Sequence, residues 1–338
     1  MPMLSNSFVV RWRSVPAAAL LVACTAAQAA PSKLVVFGDS LSDNGNASAL
    51  VGRYGIDLPA EPYYEGRFSN GPVAVEVMAA QLGLNLENHA FGGALSGVNN
   101  RINAFGLLDG TGLQGQITDY LGDTGGTTDA SALYVVWGGA NDLLSSPTAA
   151  TVTTAVNNLA YNVNLLYQAG ARDFFIPNLP DLATTASAIA AGGAQQAGAH
   201  QLSLSFNAAL AQAMSTLQGS LQGARIQVFD TFGTLAGLRA DYVAGLRADY
   251  VAQGYNVTQG CWDGDMLGQG ALCADPSKYY LWDGLHPTAG VHQAVGQAFA
   301  QAVAVPEPAA WALSLVGVGL VGLMARRRQV SGSAALAG

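Results

Sequence analysis

Charge is scarce in this chain. Aspartate, glutamate, lysine and arginine make up only 11% of its 338 residues, lysine occurs only at Lys33 and Lys278, and the net charge is −8. No basic patch precedes the terminal Arg326-Arg327-Arg328. A nucleic-acid partner needs a positive footprint for its phosphates, so none is expected. Cysteine is scarce too, at Cys24, Cys261 and Cys273 only, and histidine occurs four times without clustering. That leaves no ligand set for zinc or for metal-assisted chemistry, and no cofactor is expected.

What is abundant is apolar: half of the chain is hydrophobic by composition, enough for a sizeable core. The two ends read as addresses rather than fold. Residues 1–29 carry Arg11 and Arg13, an apolar run over 15–24 and the small-residue site Ala27-Gln28-Ala29. This is the layout of a secretory signal peptide, with signal peptidase as its partner. Leu21-Val22-Ala23-Cys24 offers a lipoprotein processing site as the alternative. At the other end, Val305-Pro306-Glu307-Pro308 is followed by Trp311, an apolar run to Ala325 and the three arginines. Residues 305–328 resemble a PEP-CTERM sorting signal, which implies recognition by an exosortase-type enzyme in a Gram-negative bacterium. The alternative is a plain transmembrane anchor. Residues 329–338 are a tail. Either reading places the protein at the cell surface or in the extracellular matrix, outside the cytoplasm.

Residues 30–304 have the length of one large domain. Short β-branched or aromatic runs at 34–37, 86–88, 133–137, 174–177 and 226–229 read as strands. Helical patterns lie near 73–82, 150–169, 197–218 and 289–303. Strand and helix in alternation predict an α/β fold with a central parallel sheet. Residues 183–199 read as a small-residue loop leading into a helix, and with 51–68 they are expected to shape a pocket. Residues 237–244 are copied unchanged as 245–252, a local duplication too short for a solenoid unit. Cys261 and Cys273 lie twelve residues apart in a Gly- and Asp-rich stretch. In an exported domain they suggest one local disulfide, the alternative being two free thiols.

Four motifs carry chemistry, in order: Gly38-Asp39-Ser40-Leu41, Asn88-His89-Ala90-Phe91-Gly92-Gly93, Gly139-Ala140-Asn141-Asp142 and Asp283-Gly284-Leu285-His286-Pro287. A serine hydroxyl is a weak nucleophile until a base takes its proton, and His286 offers an imidazole, the side chain suited to that at neutral pH. Asp283 lies three residues earlier, so a turn brings its carboxylate to the other ring nitrogen. The first three motifs each follow a predicted strand, where α/β folds gather their catalytic loops. Each motif alone is ordinary, a capped turn or a tight glycine turn. Together they supply nucleophile, base, acid and oxyanion donors. His89, His200 and His292 have no such partners and read as structural, with His292 the reserve base. No Gly-x-Ser-x-Gly occurs, which excludes the α/β-hydrolase nucleophile elbow.

These motifs resemble the SGNH/GDSL hydrolase superfamily over most of residues 33–300, and Asn178-Leu179-Pro180-Asp181 looks like a stretch found in its lipase- and esterase-like members. The resemblance implies a three-layer α/β/α, flavodoxin-like fold. It implies Ser40 as nucleophile, Asp283 and His286 as its acid and base, and Ser40, Gly93 and Asn141 as the oxyanion hole. The expected activity is a secreted serine esterase that cleaves carboxylic esters through an acyl-enzyme, acting on acyl lipids or short-chain esters. A carbohydrate O-acetylesterase acting on exopolysaccharide is the second reading. A non-catalytic matrix or adhesion protein is the rival of another class.

Overall fold

Five short runs form the sheet: β1 (Lys33–Gly38), β2 (Asn85–Asn88), β3 (Leu133–Trp137), β4 (Asp173–Pro177) and β5 (Arg225–Phe229). They are parallel, in the order β2-β1-β3-β4-β5. The computed structural model describes residues 30–102, 106–244 and 255–304. The 1–29 leader, the 305–328 sorting segment, the 329–338 tail and the second copy of the duplication lie outside the described residues.

The central strands are apolar almost without interruption because both faces of the sheet are covered. Side chains alternate between the two cores. Val35, Phe37, Tyr134 and Val136 join one, and Leu34, Val36, Val135 and Trp137 the other. Parallel neighbours need crossovers, and helices supply them. In chain order these are α1 (Asn46–Gly52), α2 (Ala74–Leu82), α3 (Leu113–Asp123), α4 (Ala140–Ser145), α5 (Ala149–Gln168), α6 (Ala186–Ala191), α7 (Gly193–Ser220), α8 (Thr231–Ala244) and α9 (Ala289–Val303). Ile117 of α3, Leu159 of α5 and Phe206 of α7 pack on the first face. Met78 of α2, Tyr242 of α8 and Phe299 of α9 pack on the second. The result is a three-layer α/β/α domain.

The chain runs from β1 outward to β2, then crosses back to β3 on the other side of β1. That reversal opens a crevice beyond the carboxyl ends of β1 and β3, the usual ligand position in open α/β sheets. Four further strands lie after α8. β6 (Asn256–Gly260) pairs in parallel with β9 (Tyr279–Leu281), and β7 (Trp262–Gly264) pairs antiparallel with β8 (Gly270–Leu272). Cys261 and Cys273 form a disulfide at the open end of the β7–β8 ribbon, Cα to Cα 4.9 Å.

The stretch 183–199, expected to be mainly loop, is mostly helical. Thr185 caps α6 by accepting the Ala188 N–H, and Gly192 (φ 60°) separates α6 from α7. Alanine has the highest helix propensity, so an alanine-rich run needs only a cap and a breaker to become two helices. The first copy of the duplication lies in α8. Among the described residues no helix is long and apolar enough to cross a membrane.

Candidate active site

The turn that presents Ser40 is anchored from behind. Gln116 of α3 accepts from the Gly38 N–H (3.0 Å) and donates to the Gly38 carbonyl (2.8 Å), pinning the end of β1. A Cβ at Gly38 would sit 3.0 Å from both Ser42 and the Trp137 carbonyl, so the close strand approach needs glycine there. The Asp39 carbonyl then accepts the N–H groups of Ser42 and Asp43, and Ser40 sits at the tip, 7% exposed.

The histidine arrives on the loop after β9. The Trp282 N–H donates to the His286 carbonyl (2.7 Å), folding the loop back on itself. Asp283 Oδ1 accepts the N–H groups of Leu285 and His286, each at 2.7 Å. Its Oδ2 lies 2.7 Å from His286 Nδ1, and His286 Nε2 lies 2.8 Å from Ser40 Oγ. A carboxylate at Nδ1 keeps the ring proton there and leaves Nε2 free to accept from the hydroxyl. Burial pushes the Asp283 carboxyl up, but the His286 charge and the hydrogen bonds from His286 and Leu285 outweigh it and hold it below the usual carboxylate value.

Beyond β2 the chain turns through Gly92 and Gly93. Asp43 Oδ2 accepts the Gly92 N–H, and Asn100 Nδ2 donates to the Gly92 carbonyl. Gly93 has φ 77°, and a Cβ there would lie 2.5 Å from Asn100 Oδ1. Among the described residues, neither the Ser40 nor the Gly93 amide has a hydrogen-bond acceptor. Asn141 lies in the first turn of α4 and donates from Nδ2 to the Ala94 carbonyl (3.1 Å), next to Gly93. Asp142 accepts both the N–H and the hydroxyl of Ser96, while Asn158 and Asn162 of α5 donate to the Ser96 Oγ and carbonyl. The glycine loop is thus held to the start of α4 by buried polar contacts.

Ser40, Asn141 and His286 line one cleft, walled by Leu41, Leu144, Leu182, Leu281, Leu285 and Val295. The 51–68 stretch does not line it as expected. Instead it supplies Phe68, whose ring lies 5.4 Å from the His286 ring, and Tyr63, whose hydroxyl donates to Asp283 Oδ2 (2.8 Å). Sequence reasoning had no signal for Tyr63, which lies 220 residues from its partner. Asp43 lies just past the first motif, and nothing in the sequence marked its reach to Gly92. His292 does not approach Ser40 by hydrogen bond. Its Nδ1 accepts the Ala74 N–H at the start of α2, and burial first, then the His286 charge, lowers it to about 3. Two other histidines do have acidic neighbours, contrary to expectation. His200 Nδ1 lies 2.7 Å from Asp181 Oδ2, and His89 Nε2 lies 3.3 Å from Glu87 Oε1.

Residues 34–299 match the model of the GDSL-like lipase/acylhydrolase family, and residues 304–328 match the PEP-CTERM protein-sorting motif. A phosphatidylcholine-sterol acyltransferase of Aeromonas hydrophila is 35% identical over 180 residues, covering 50% of this chain and 51% of that protein. The chain therefore aligns with about half the length of that relative. A GDSL esterase/lipase of Arabidopsis thaliana is 28% identical over 318 residues, covering 78% of this chain and 85% of the plant protein. Among solved structures, the carbohydrate acetylesterase Est24 of Sinorhizobium meliloti covers 80% of this chain and 98% of its own, at 14% identity and a TM-score of 0.43. The family match runs from β1 into α9 and so includes every motif that builds the cleft. The chain belongs to the GDSL lipase/acylhydrolase family, is a carboxylic ester hydrolase, and carries a PEP-CTERM sorting motif.

Proposed function

We propose that this protein hydrolyses acyl esters of lipids outside the cytoplasm, through an acyl-enzyme on Ser40. The observation that carries the reading is the cleft at Ser40 Oγ, whose lining includes several leucines and Val295, apolar side chains suited to an acyl chain. His286 Nε2 takes the Ser40 proton as Oγ attacks the ester carbonyl carbon. The N–H groups of Ser40 and Gly93 and the Asn141 amide receive the oxyanion of the tetrahedral intermediate. Collapse breaks the bond to the alcohol oxygen, which leaves with the proton held on His286. Water repeats the sequence on the acyl-enzyme and releases the carboxylic acid. Asp283 holds the Nδ1 proton and offsets the imidazolium charge throughout.

Export is supported by the sorting motif at 304–328. An exosortase-type enzyme is the partner proposed for it, and signal peptidase the partner for residues 1–29. The sorting motif also favours a second reading, acetyl esters on an extracellular polysaccharide. Hydrolysis of nitrophenyl acetate, butyrate and palmitate by the wild-type protein and its Ser40→Ala form tests both. Ser40-dependent turnover that rises with chain length supports the lipid esterase. A preference confined to acetyl selects the sugar acetate. Equal turnover by the two proteins removes Ser40 as nucleophile.

A further inference from the structure

Asp283 carries more hydrogen bonds than an orienting acid requires. Oδ1 is filled by two backbone N–H groups. Oδ2, the oxygen that faces His286, also accepts the hydroxyl of Tyr63 at 2.8 Å. Tyr63 is 4% exposed, and its ring is set edge-on to Trp282 (6.0 Å) and Phe68 (6.5 Å), in a cluster that includes Cys261 and Trp262. The ring cannot swing away without opening that cluster, so the hydroxyl is a fixed donor. Burial, then the Asp283 charge, pushes its ionisation far up, and it stays a donor at every working pH.

We infer that Tyr63 is a positioning residue for the hydrolysis, setting the basicity of His286 by sharing Asp283 Oδ2 with it. The inference rests on the roles proposed above for Ser40, Asp283 and His286. A second donor on Oδ2 draws negative charge away from the imidazole, so the imidazolium is stabilised less and His286 stays neutral, able to act as a base, to lower pH. The other titratable groups facing this set are Asp39 beside Ser40, His292 on α9, and Asp265, which acts on Tyr63. Tyr63→Phe leaves all of them in place.

The test is an NMR titration of the imidazole resonances, four in this chain, with His286 assigned by its loss in His286→Asn. In Tyr63→Phe the His286 titration should move to higher pH. The acid limb of kcat/KM should move up with it, kcat should fall by about 3- to 10-fold, and KM should hold. A fluorinated tyrosine placed at Tyr63 is a stronger donor and should move His286 the opposite way, which keeps the test open if the phenylalanine form does not fold. An unmoved His286 titration in either folded form overturns the inference. Activity that survives Ser40→Ala overturns the proposed function instead, so the two failures are read on different variants.

Discussion

Asp43 Oδ2 lies 2.7 Å from the Gly92 amide nitrogen, a single hydrogen bond that joins the turn bearing Ser40 to the loop bearing Gly93. The same side chain accepts the N–H groups of Gly45, Asn46 and Ala47 at the entrance to α1. Asn46 Nδ2 adds two bonds across the same seam, to the Asn88 and Ala90 carbonyls, and Asn88 returns one to the Ser42 carbonyl. The relative position of the two amides proposed as oxyanion donors thus depends on the Asp43, Asn46 and Asn88 side chains.

Asp43→Ala should therefore cost both stability and turnover. It strands four N–H donors, and an unsatisfied buried donor costs about 1–3 kcal/mol. Water reaching the α1 end recovers part of this, so a loss of about 3–5 kcal/mol is expected from urea denaturation. A loss below about 1 kcal/mol would mean that the loop holds its place without Asp43.

Asn141→Ala separates catalysis from folding. The side chain gives up one hydrogen bond to the Ala94 carbonyl, while Asp142 and α5 still hold Ser96. Loss of an oxyanion donor typically costs about 10²–10³ in kcat. Turnover should fall by that factor while the protein stays folded, its thermal midpoint lowered by only a few degrees for the stranded Ala94 carbonyl. Near-normal turnover would remove Asn141 from the hole.

The sheet was legible because strands buried on both faces write unbroken apolar runs, and 133–137 was read to the residue. Elements that pack through one narrow stripe were harder. α3 buries Leu113, Ile117 and Tyr120, yet it contains Gly115 and Gly122 and five polar or charged residues, which hide its period. The strands β6 to β9 are only three to five residues long, too short for any alternating or apolar run to mark them. Ser40, Asp283, His286, Gly93 and Asn141 stood out because each sits in a compact motif. Tyr63 and Gln116 did not, because their meaning comes from contacts 220 and 78 residues away.

Asp39 makes stability depend on pH. It is 3% exposed, and burial pushes its carboxyl to about 6, against the Leu41 N–H and the His286 charge. A raised folded value means a contribution fully present below the unfolded value, 3.8, and lost as pH rises through about 6. Asp283 works in the opposite sense: its folded value is lowered, so its contribution is present above 3.8 and lost in stronger acid. A difference of about two units is worth about 3 kcal/mol. Asp39→Asn should therefore gain about 2–3 kcal/mol over wild type at pH ~8 and little at pH ~4. Urea denaturation at the two pH values measures this, and equal gains at both would assign the effect to packing rather than charge.

The disulfide should support the acid loop as well as the fold. Cys261 and Cys273 are twelve residues apart, and closing a loop of that length removes about 3 kcal/mol of unfolded-chain entropy. The residue after Cys261 matters equally: the Trp262 N–H donates to the Trp282 carbonyl (2.6 Å), one residue before Asp283. A Cβ at Gly260 would lie 2.6 Å from the Asp283 carbonyl carbon, so the end of β6, next to Cys261, packs directly on the Asp283 backbone. Dithiothreitol should lower the thermal midpoint of the wild-type protein and leave a Cys261→Ala/Cys273→Ala form unmoved, with turnover lower in the dithiothreitol-treated wild type and in the double alanine form than in the oxidised wild type. Full activity in the double alanine form would mean that Asp283 is held by its own loop and by Tyr63, without help from the disulfide.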